Sequence, residues 1–162
     1  ESLLCAWLVT GEISYQKIAK SSFDFLLSKT FRKNKIKVIS NKNWLKTKEK
    51  LNSPPIGGEQ PIDVAYTILA LHKFYKVFKE ETYRLNMEIS FNWFLGSNHL
   101  NQIIYNPCTG GCYDGLEENG VNLNQGAEST VSYLMARLTI EKYILNEQNN
   151  KKNKKILLDI DC

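Results

Sequence analysis

The sequence is poor in arginine and contains no long apolar segment, and both shortages exclude functions. Only three arginines occur among its 162 residues, and the lysines that dominate the net charge of +4 are not interleaved with aromatic residues. Nucleic-acid binding is therefore not predicted, because basic and aromatic side chains normally occur together in such surfaces. No stretch reaches the roughly 20 apolar residues that a membrane-spanning helix needs. The lysine runs are instead interpreted as a solvated face and a polar tail.

Several catalytic sequence motifs are also missing. The glycine-rich segment lacks the lysine and Ser/Thr of a phosphate-binding P-loop, and neither GxSxG nor HExxH occurs. The four cysteines, Cys5, Cys108, Cys112 and Cys162, do not show the two tight pairs that are typical of structural zinc sites. We predict free thiols in the reducing environment of the cytoplasm, with no metal and no other cofactor.

The remaining composition is that of a globular domain. With 43% apolar and 23% charged residues, the chain is long enough for one domain with a core and too short for two. The sequence predicts a single helical domain over residues 1–148, followed by a lysine- and asparagine-rich tail over residues 149–162. It begins without methionine and without a basic flank before its apolar start, which predicts a piece of a longer protein.

The hydrophobic periodicity is mostly helical. Gly11 marks the end of a first helix, and Pro61 suits the first position of another, because its missing N–H has no helical partner there. This helix carries two apolar stripes and is expected to be sandwiched between neighbours. In the last helix, Val131, Leu134 and Leu138 define the apolar face. The predicted helices cover approximately residues 2–9, 15–30, 61–78, 82–95 and 127–146, with a short extended piece at 35–39.

The links between these helices are very unequal in length. Short links join antiparallel helices, whereas long ones contain the glycines and carboxylates, which indicates functional loops gathered at one end. The sequence therefore predicts an all-α fold of stacked αα-hairpins.

The segment TGGCYDGLEENGVNLNQGAEST, residues 109–130, contains the strongest functional signal. It combines five glycines with acids, amides, a cysteine and a tyrosine, and it leads directly into an apolar-periodic helix. A simple connector would not need so many shape-defining and hydrogen-bonding residues. We therefore expect it to be a ligand-facing loop.

The polar residues of this loop and of the Pro61 helix start suit carbohydrate chemistry. Glycoside cleavage uses two carboxyl groups, and sugar binding uses amides, acids and aromatic faces. If both helix starts lie on one rim, their acids meet at one cleft. The predicted catalytic residues are Asp63, Asp114 and Glu128, and the predicted sugar-binding residues are Glu59, Gln60, Trp44, Tyr113, Asn124 and Gln125.

Most of these residues also have a structural interpretation. Asp63 suits the helix dipole, and Glu128 or Asn124 suits the bracing of a glycine-rich loop. Trp93 is expected in the core and His72 in a structural position, whereas His99 is left unassigned.

A set of motifs follows in order along the chain: SSFDFLL, Trp44, GEQPIDVAYTILAL, FNWFLGSN and TGGCYDGL…GVNLNQGAESTVSYL. These motifs resemble one group of bacterial helical domains. Such domains occur with carbohydrate-processing enzymes and behind sugar-nucleotide-type glycosyltransferases, and they resemble the six-hairpin glycosidase superfamily. The resemblance covers most of residues 15–146, and its most specific part is NQGAEST. It implies an (α/α) toroid, of which a chain this short supplies only part.

Together these observations predict a glycan-processing or sugar-binding domain, glycosidase-like or associated with a glycosyltransferase of the same longer protein. Its partners would be a carbohydrate and, through apolar helix faces left open by an incomplete ring, a second copy of the chain. A noncatalytic helical scaffold or interaction domain is the alternative. Convergence of the four acids Glu59, Asp63, Asp114 and Glu128 on one open cleft would favour catalysis.

Overall fold

The helices begin and end where the sequence supplies suitable residues. The computed structural model describes residues 1–39 and 57–160, with side chains described through residue 144. Helix α1 (Ser2–Thr10) ends at Gly11, which has a left-handed φ of 74° and donates its N–H to the Trp7 carbonyl. The other helices are α2 (Ile13–Thr30), α3 (Pro61–Phe78), α4 (Glu81–Phe94) and α5 (Ala127–Ile160).

Helix α3 is the centre of the fold. Pro61 occupies its first turn as predicted, and the buried face includes Val64, Ile68, Leu71 and Phe74. It packs against both α4 and α5, so the prediction that this helix is sandwiched between neighbours is confirmed. Each such fully buried side chain contributes about 1.5–3 kcal/mol of burial free energy.

Helices α1 and α2 form a separate hairpin that packs on this centre through α2. The Phe23 ring lies 4.3 Å from the Phe74 ring and 6.0 Å from the Tyr83 ring, measured between centroids. Lys20 lies beside them, with its Nζ 2.9 Å from both Asp24 and the Tyr83 hydroxyl. Aromatic packing and a charged hydrogen-bond cluster therefore join α2 to α3 and α4.

Four two-residue strands interrupt the helical architecture. Strands β1 (Phe31–Arg32) and β2 (Lys35–Ile36) form one antiparallel hairpin, and β3 (Gly115–Leu116) and β4 (Val121–Asn122) form another. The second hairpin lies within the glycine-rich loop. It is extended by pairing of Glu59 with Leu116 through two backbone hydrogen bonds of 3.0 and 2.9 Å.

The predicted fold class is wrong. We expected an all-α fold of stacked αα-hairpins forming a partial (α/α) toroid of the six-hairpin glycosidase type. In the described part of the chain, five helices are accompanied by two small β-hairpins, and α4 and α5 both pack against α3. The two apolar stripes of α3 are thus covered within one helical cluster, whereas a toroid would cover them with successive hairpins.

The last helix differs from its prediction in length and in its buried face. Helix α5 continues to Ile160, beyond the end predicted near residue 146. Val131 and Leu138 are exposed, whereas Tyr133 and Ala136 are buried. Tyr133 stacks on Tyr105 with ring centroids 5.0 Å apart and contacts the Phe94 ring at 5.3 Å. Aromatic packing, rather than aliphatic periodicity, therefore determines which face of α5 is buried.

Candidate functional site

Three chain segments that are distant in sequence enclose a polar cleft of about 430 Å³. They are the extended residues 58–60 before α3 (the Glu59 segment), the β3–β4 hairpin and the first turn of α5. Four carboxylate residues line the cleft, and no lysine or arginine occurs among its described lining residues. The lining consists of Gly58, Glu59, Gln60, Asp114, Gly115, Glu117, Asn122, Gly126, Ala127, Glu128 and Ser129.

Asp114 fixes the glycine-rich loop to the start of α5. Its Oδ1 accepts hydrogen bonds from the Gly126 backbone N–H (2.7 Å) and the Ser129 hydroxyl (2.6 Å), and its Oδ2 accepts one from the Asn124 side chain. The Ser129, Asn124 and Gly126 donors lower the pKa of the Asp114 carboxyl, because they stabilise its anion. Asp114 is therefore a stable carboxylate that braces the loop.

Glu59 is a buried carboxylate between two donors. Only 7% of the residue is exposed, and its Oε2 accepts a 2.8 Å hydrogen bond from the indole N–H of Trp93. Its Oε1 lies 3.4 Å from Nδ1 of His99. Burial raises the pKa of the Glu59 carboxyl, and the opposing effects of Trp93, His99 and Lys37 do not cancel this rise. The two acids Glu59 and Asp114 thus have pKa values shifted in opposite directions.

Gly115 is required by the close approach of the hairpin to residue 59. A Cβ atom at residue 115 would lie 2.5 Å from the Glu59 carbonyl oxygen, which is a backbone atom with little freedom to move. The glycine therefore permits the pairing that forms one wall of the cleft.

We expect Gly115→Ala to lower the free energy of unfolding by about 1–3 kcal/mol, because overpacking displaces the hairpin from residue 59. Urea denaturation measures this change. Gly120→Ala is the matched control, since a Cβ at this turn position of the same hairpin meets no atom within 4 Å. Equal stability of the two variants would contradict the close approach.

The acids at the two helix starts are electrostatically coupled. The pKa of Asp63 is raised, first by partial desolvation and second by the nearby carboxylate of Glu128. Asp63 lines a smaller hollow of about 130 Å³, together with Thr67 and apolar residues of α2 and the β1–β2 region. Glu59, Asp114 and Glu128 thus line the main cleft, and Asp63 lies at the neighbouring hollow.

The other residues predicted to bind sugar do not all lie at the cleft. Gln60 lines the cleft, Asn124 donates to Asp114, and Gln125 accepts a 2.6 Å hydrogen bond from the Thr109 hydroxyl. Tyr113 is partly buried against the hydrophobic core. Trp44 lies outside the described residues.

Trp93 is fully buried, as predicted. The sequence did not indicate that the indole N–H of Trp93 donates to Glu59, since the two residues are 34 positions apart. It also left the position of His99 open, and Ser129 was not singled out. The motif FNWFLGSN, residues 91–98, was the sequence signal that could have indicated these contacts, because it places a tryptophan next to a polar turn.

The neighbouring cysteines Cys108 and Cys112 differ in their exposure. Cys108 is exposed, and Cys112 is buried with its Sγ directed at the Ile104 and Tyr113 carbonyls. Burial and the Asp114 charge raise the pKa of Cys112 to about 12, which keeps it a thiol. Over residues 1–39 and 57–144, no group of three or more His, Cys, Asp or Glu side chains could hold a metal ion.

No protein-family model matches the chain, and no curated protein matches its sequence. Among the helices of the described residues, none combines the length and apolarity needed to cross a lipid bilayer.

Proposed function

We propose that the cleft binds a neutral, hydroxyl-rich ligand, namely a glycan. The observation that supports this best is the chemistry of its lining, in which carboxylates, amides and a hydroxyl occur without a described cation. Carboxylate oxygens accept from sugar hydroxyls, and the side chains of Gln60 and Asn122 both donate and accept. A phosphorylated ligand would meet four carboxylates and, among the described lining residues, neither a lysine nor an arginine.

The size and origin of the cleft agree with this proposal. A volume of about 430 Å³ lies within the range of small-ligand sites, roughly 300–1,000 Å³. The lining of the cleft includes residues 58–60 of the GEQP motif, residues 114 and 115 of DGL and residues 126–129 of NQGAES. These motifs carry the resemblance to helical domains of carbohydrate-processing proteins. Attachment to a glycosyltransferase of the same longer protein is part of the proposal.

Binding is better supported than cleavage. Both carboxylate oxygens of Asp114 already accept hydrogen bonds from the loop, so this acid is poorly placed to exchange a proton. Glu128 is exposed in the first turn of α5, where it is accessible to a hydroxyl of a ligand. We therefore assign ligand binding to Glu128 and structural support of the site to Asp114.

A noncatalytic interaction domain is the second candidate function. The observation that favours it is an exposed apolar stripe on α5, formed by Val131, Leu134 and Leu138. Contiguous apolar surface of this kind often marks protein contacts. Glycan binding requires the acids and amides of the cleft, whereas an interaction domain requires the apolar stripe on α5.

The proposed function is tested by measuring glycan binding to wild type and Glu128→Gln. After an array identifies a ligand, titration should show affinity about tenfold weaker in the variant, corresponding to about 1.4 kcal/mol for a hydrogen bond to a charged group. Glu141→Gln on the same helix is the matched control and should bind as wild type does. If no glycan binds wild type, or if both variants match it, the sugar-site assignment is wrong.

A further inference from the structure

His99 connects two adjacent segments of the cleft wall. Its Nδ1 lies 3.4 Å from Glu59 Oε1, and its Nε2 lies 2.9 Å from the backbone carbonyl of Glu117. Glu59 belongs to the Glu59 segment before α3, and Glu117 follows β3 in the hairpin. Both residues line the cleft. A single imidazole ring thus bridges the Glu59 segment and the hairpin.

Asn98, the residue before His99, holds the turn that carries the His99 ring. This buried side chain donates to the Trp93 carbonyl (3.0 Å) and the Gln102 carbonyl (2.7 Å), and it accepts from the Leu100 and Gln102 backbone N–H groups. The turn that follows α4 is therefore held in one conformation. Its rigidity fixes where the His99 ring can reach.

The hydrogen-bonding groups around the His99 ring determine how many protons the His99–Glu59 pair holds. A backbone carbonyl can only accept, so Nε2 must carry a proton to bond Glu117. Nδ1 then faces a carboxyl group, and a bare nitrogen beside an ionised carboxylate would be repulsive. One proton must therefore lie between Nδ1 and the Glu59 carboxyl, on either the ring or the acid. The second Glu59 oxygen already accepts from Trp93.

Several other charged groups surround this pair. Lys37 acts on the Glu59 carboxyl electrostatically and favours its ionised form. Lys35, on β2, donates from Nζ to the Asn98 carbonyl, 3.2 Å away. The side chain of Glu117 contributes the second acid of this wall. The pair is thus placed between two lysines on the β1–β2 side and an acid on the hairpin side.

We propose that His99 is a proton-operated clamp that holds the β3–β4 hairpin against the Glu59 segment. With one proton shared, both ring nitrogens have partners and the clamp is closed. Loss of that proton at higher pH leaves Nδ1 facing an anion, so the ring turns away and releases the Glu117 carbonyl. The hairpin then keeps its backbone pairing of Glu59 with Leu116 but loses the imidazole bridge. The clamp does not depend on which ligand the cleft binds.

Glu59→Gln removes the need for the shared proton but keeps both hydrogen bonds. The amide oxygen of glutamine accepts from Trp93, and its NH₂ group donates to Nδ1 of a neutral ring, so the clamp closes without an added proton. The experiment is an NMR pH titration over about pH 5 to 8, where histidine normally titrates. It follows the ¹⁵N shifts of the His99 ring and the backbone amides of Leu116 and Glu117. His72, the second of the two histidines, is the internal control.

In wild type the Leu116 and Glu117 amides are expected to shift together with the His99 ring and independently of His72. In Glu59→Gln, the amides should stay at their closed-state shifts across the neutral range. His99→Gln, at a partly exposed position, provides a second variant in which the coupled amide titration should disappear. Wild-type amides that do not follow the His99 ring, or amides that titrate unchanged in either variant, would overturn the clamp.

Discussion

Phe74→Ala is expected to lower the free energy of unfolding by about 3–5 kcal/mol, the range found when a buried aromatic ring is removed from a core. Phe74 is 1% exposed, and its ring contacts those of Phe23, Phe78 and Tyr83. These contacts join α2, α3 and α4. The substitution therefore leaves a cavity where three helices meet, and total domain stability is only about 5–15 kcal/mol.

The matched control for this prediction is Phe25→Ala. Phe25 lies on α2 but is 66% exposed, so its removal should change stability by less than about 1 kcal/mol. Urea denaturation of both variants, with the slope of the transition compared, measures the difference. Similar losses in the two variants would show that the three-helix junction is placed incorrectly.

Asp114→Ala is expected to lower the free energy of unfolding by about 2–4 kcal/mol at neutral pH. The substitution removes three hydrogen bonds to a charged group, each worth about 1.5–3 kcal/mol when buried and less at a partly exposed position. Without them the Gly126 N–H and the Ser129 hydroxyl lose their partner. Glu118→Ala, an exposed acid in the same loop, should have little effect.

The stabilising effect of Asp114 also depends on pH in a defined direction. Because its pKa is lowered from the ordinary value of 3.8, the folded state favours the ionised form. The contribution is fully present above that ordinary value and is lost as the pH falls through the lower, folded-state value. The difference in free energy of unfolding between wild type and Asp114→Ala should therefore become smaller below about pH 4. A difference that stays constant or grows on acidification would contradict the bracing role.

Local signals in the sequence predicted the helices well. Gly11 ends α1 through its left-handed conformation, and Pro61 begins α3, because both effects depend only on the backbone of the residue concerned. The glycine-rich loop was also recognised as one side of a cleft. Its internal β-hairpin was missed, since each of its strands is only two residues long.

Packing between distant segments was not predictable in the same way. Hydropathy favoured Val131 and Leu138 as the buried face of α5, but the aromatic partners Phe94 and Tyr105 bury Tyr133 instead. Periodicity indicates that a helix has an apolar side but does not identify the surface that covers it. The stacked-hairpin prediction came from the lengths of the links and the toroid from the motif resemblance, and neither specifies which helix faces pack together.

The arrangement of Glu59 was likewise invisible in the sequence. Its two partners lie 34 and 40 residues away, counting from residue 59 to Trp93 and from residue 59 to His99. Neither partner has a spacing that indicates a shared site. Only the folded chain, in which α4 lies beside the Glu59 segment, brings the carboxylate and its donors together.

The most direct test of the proposed glycan cleft is an amide chemical-shift map recorded while an array-selected oligosaccharide is titrated into the ¹⁵N-labelled protein. We expect saturable shifts at the amides of Gly58, Gly115, Asn122 and Gly126, on three separate segments that meet only at the cleft. The amides of α1 and α2 should remain unchanged. Shifts confined to those two helices, or no saturable shift at the four cleft amides, would contradict the account.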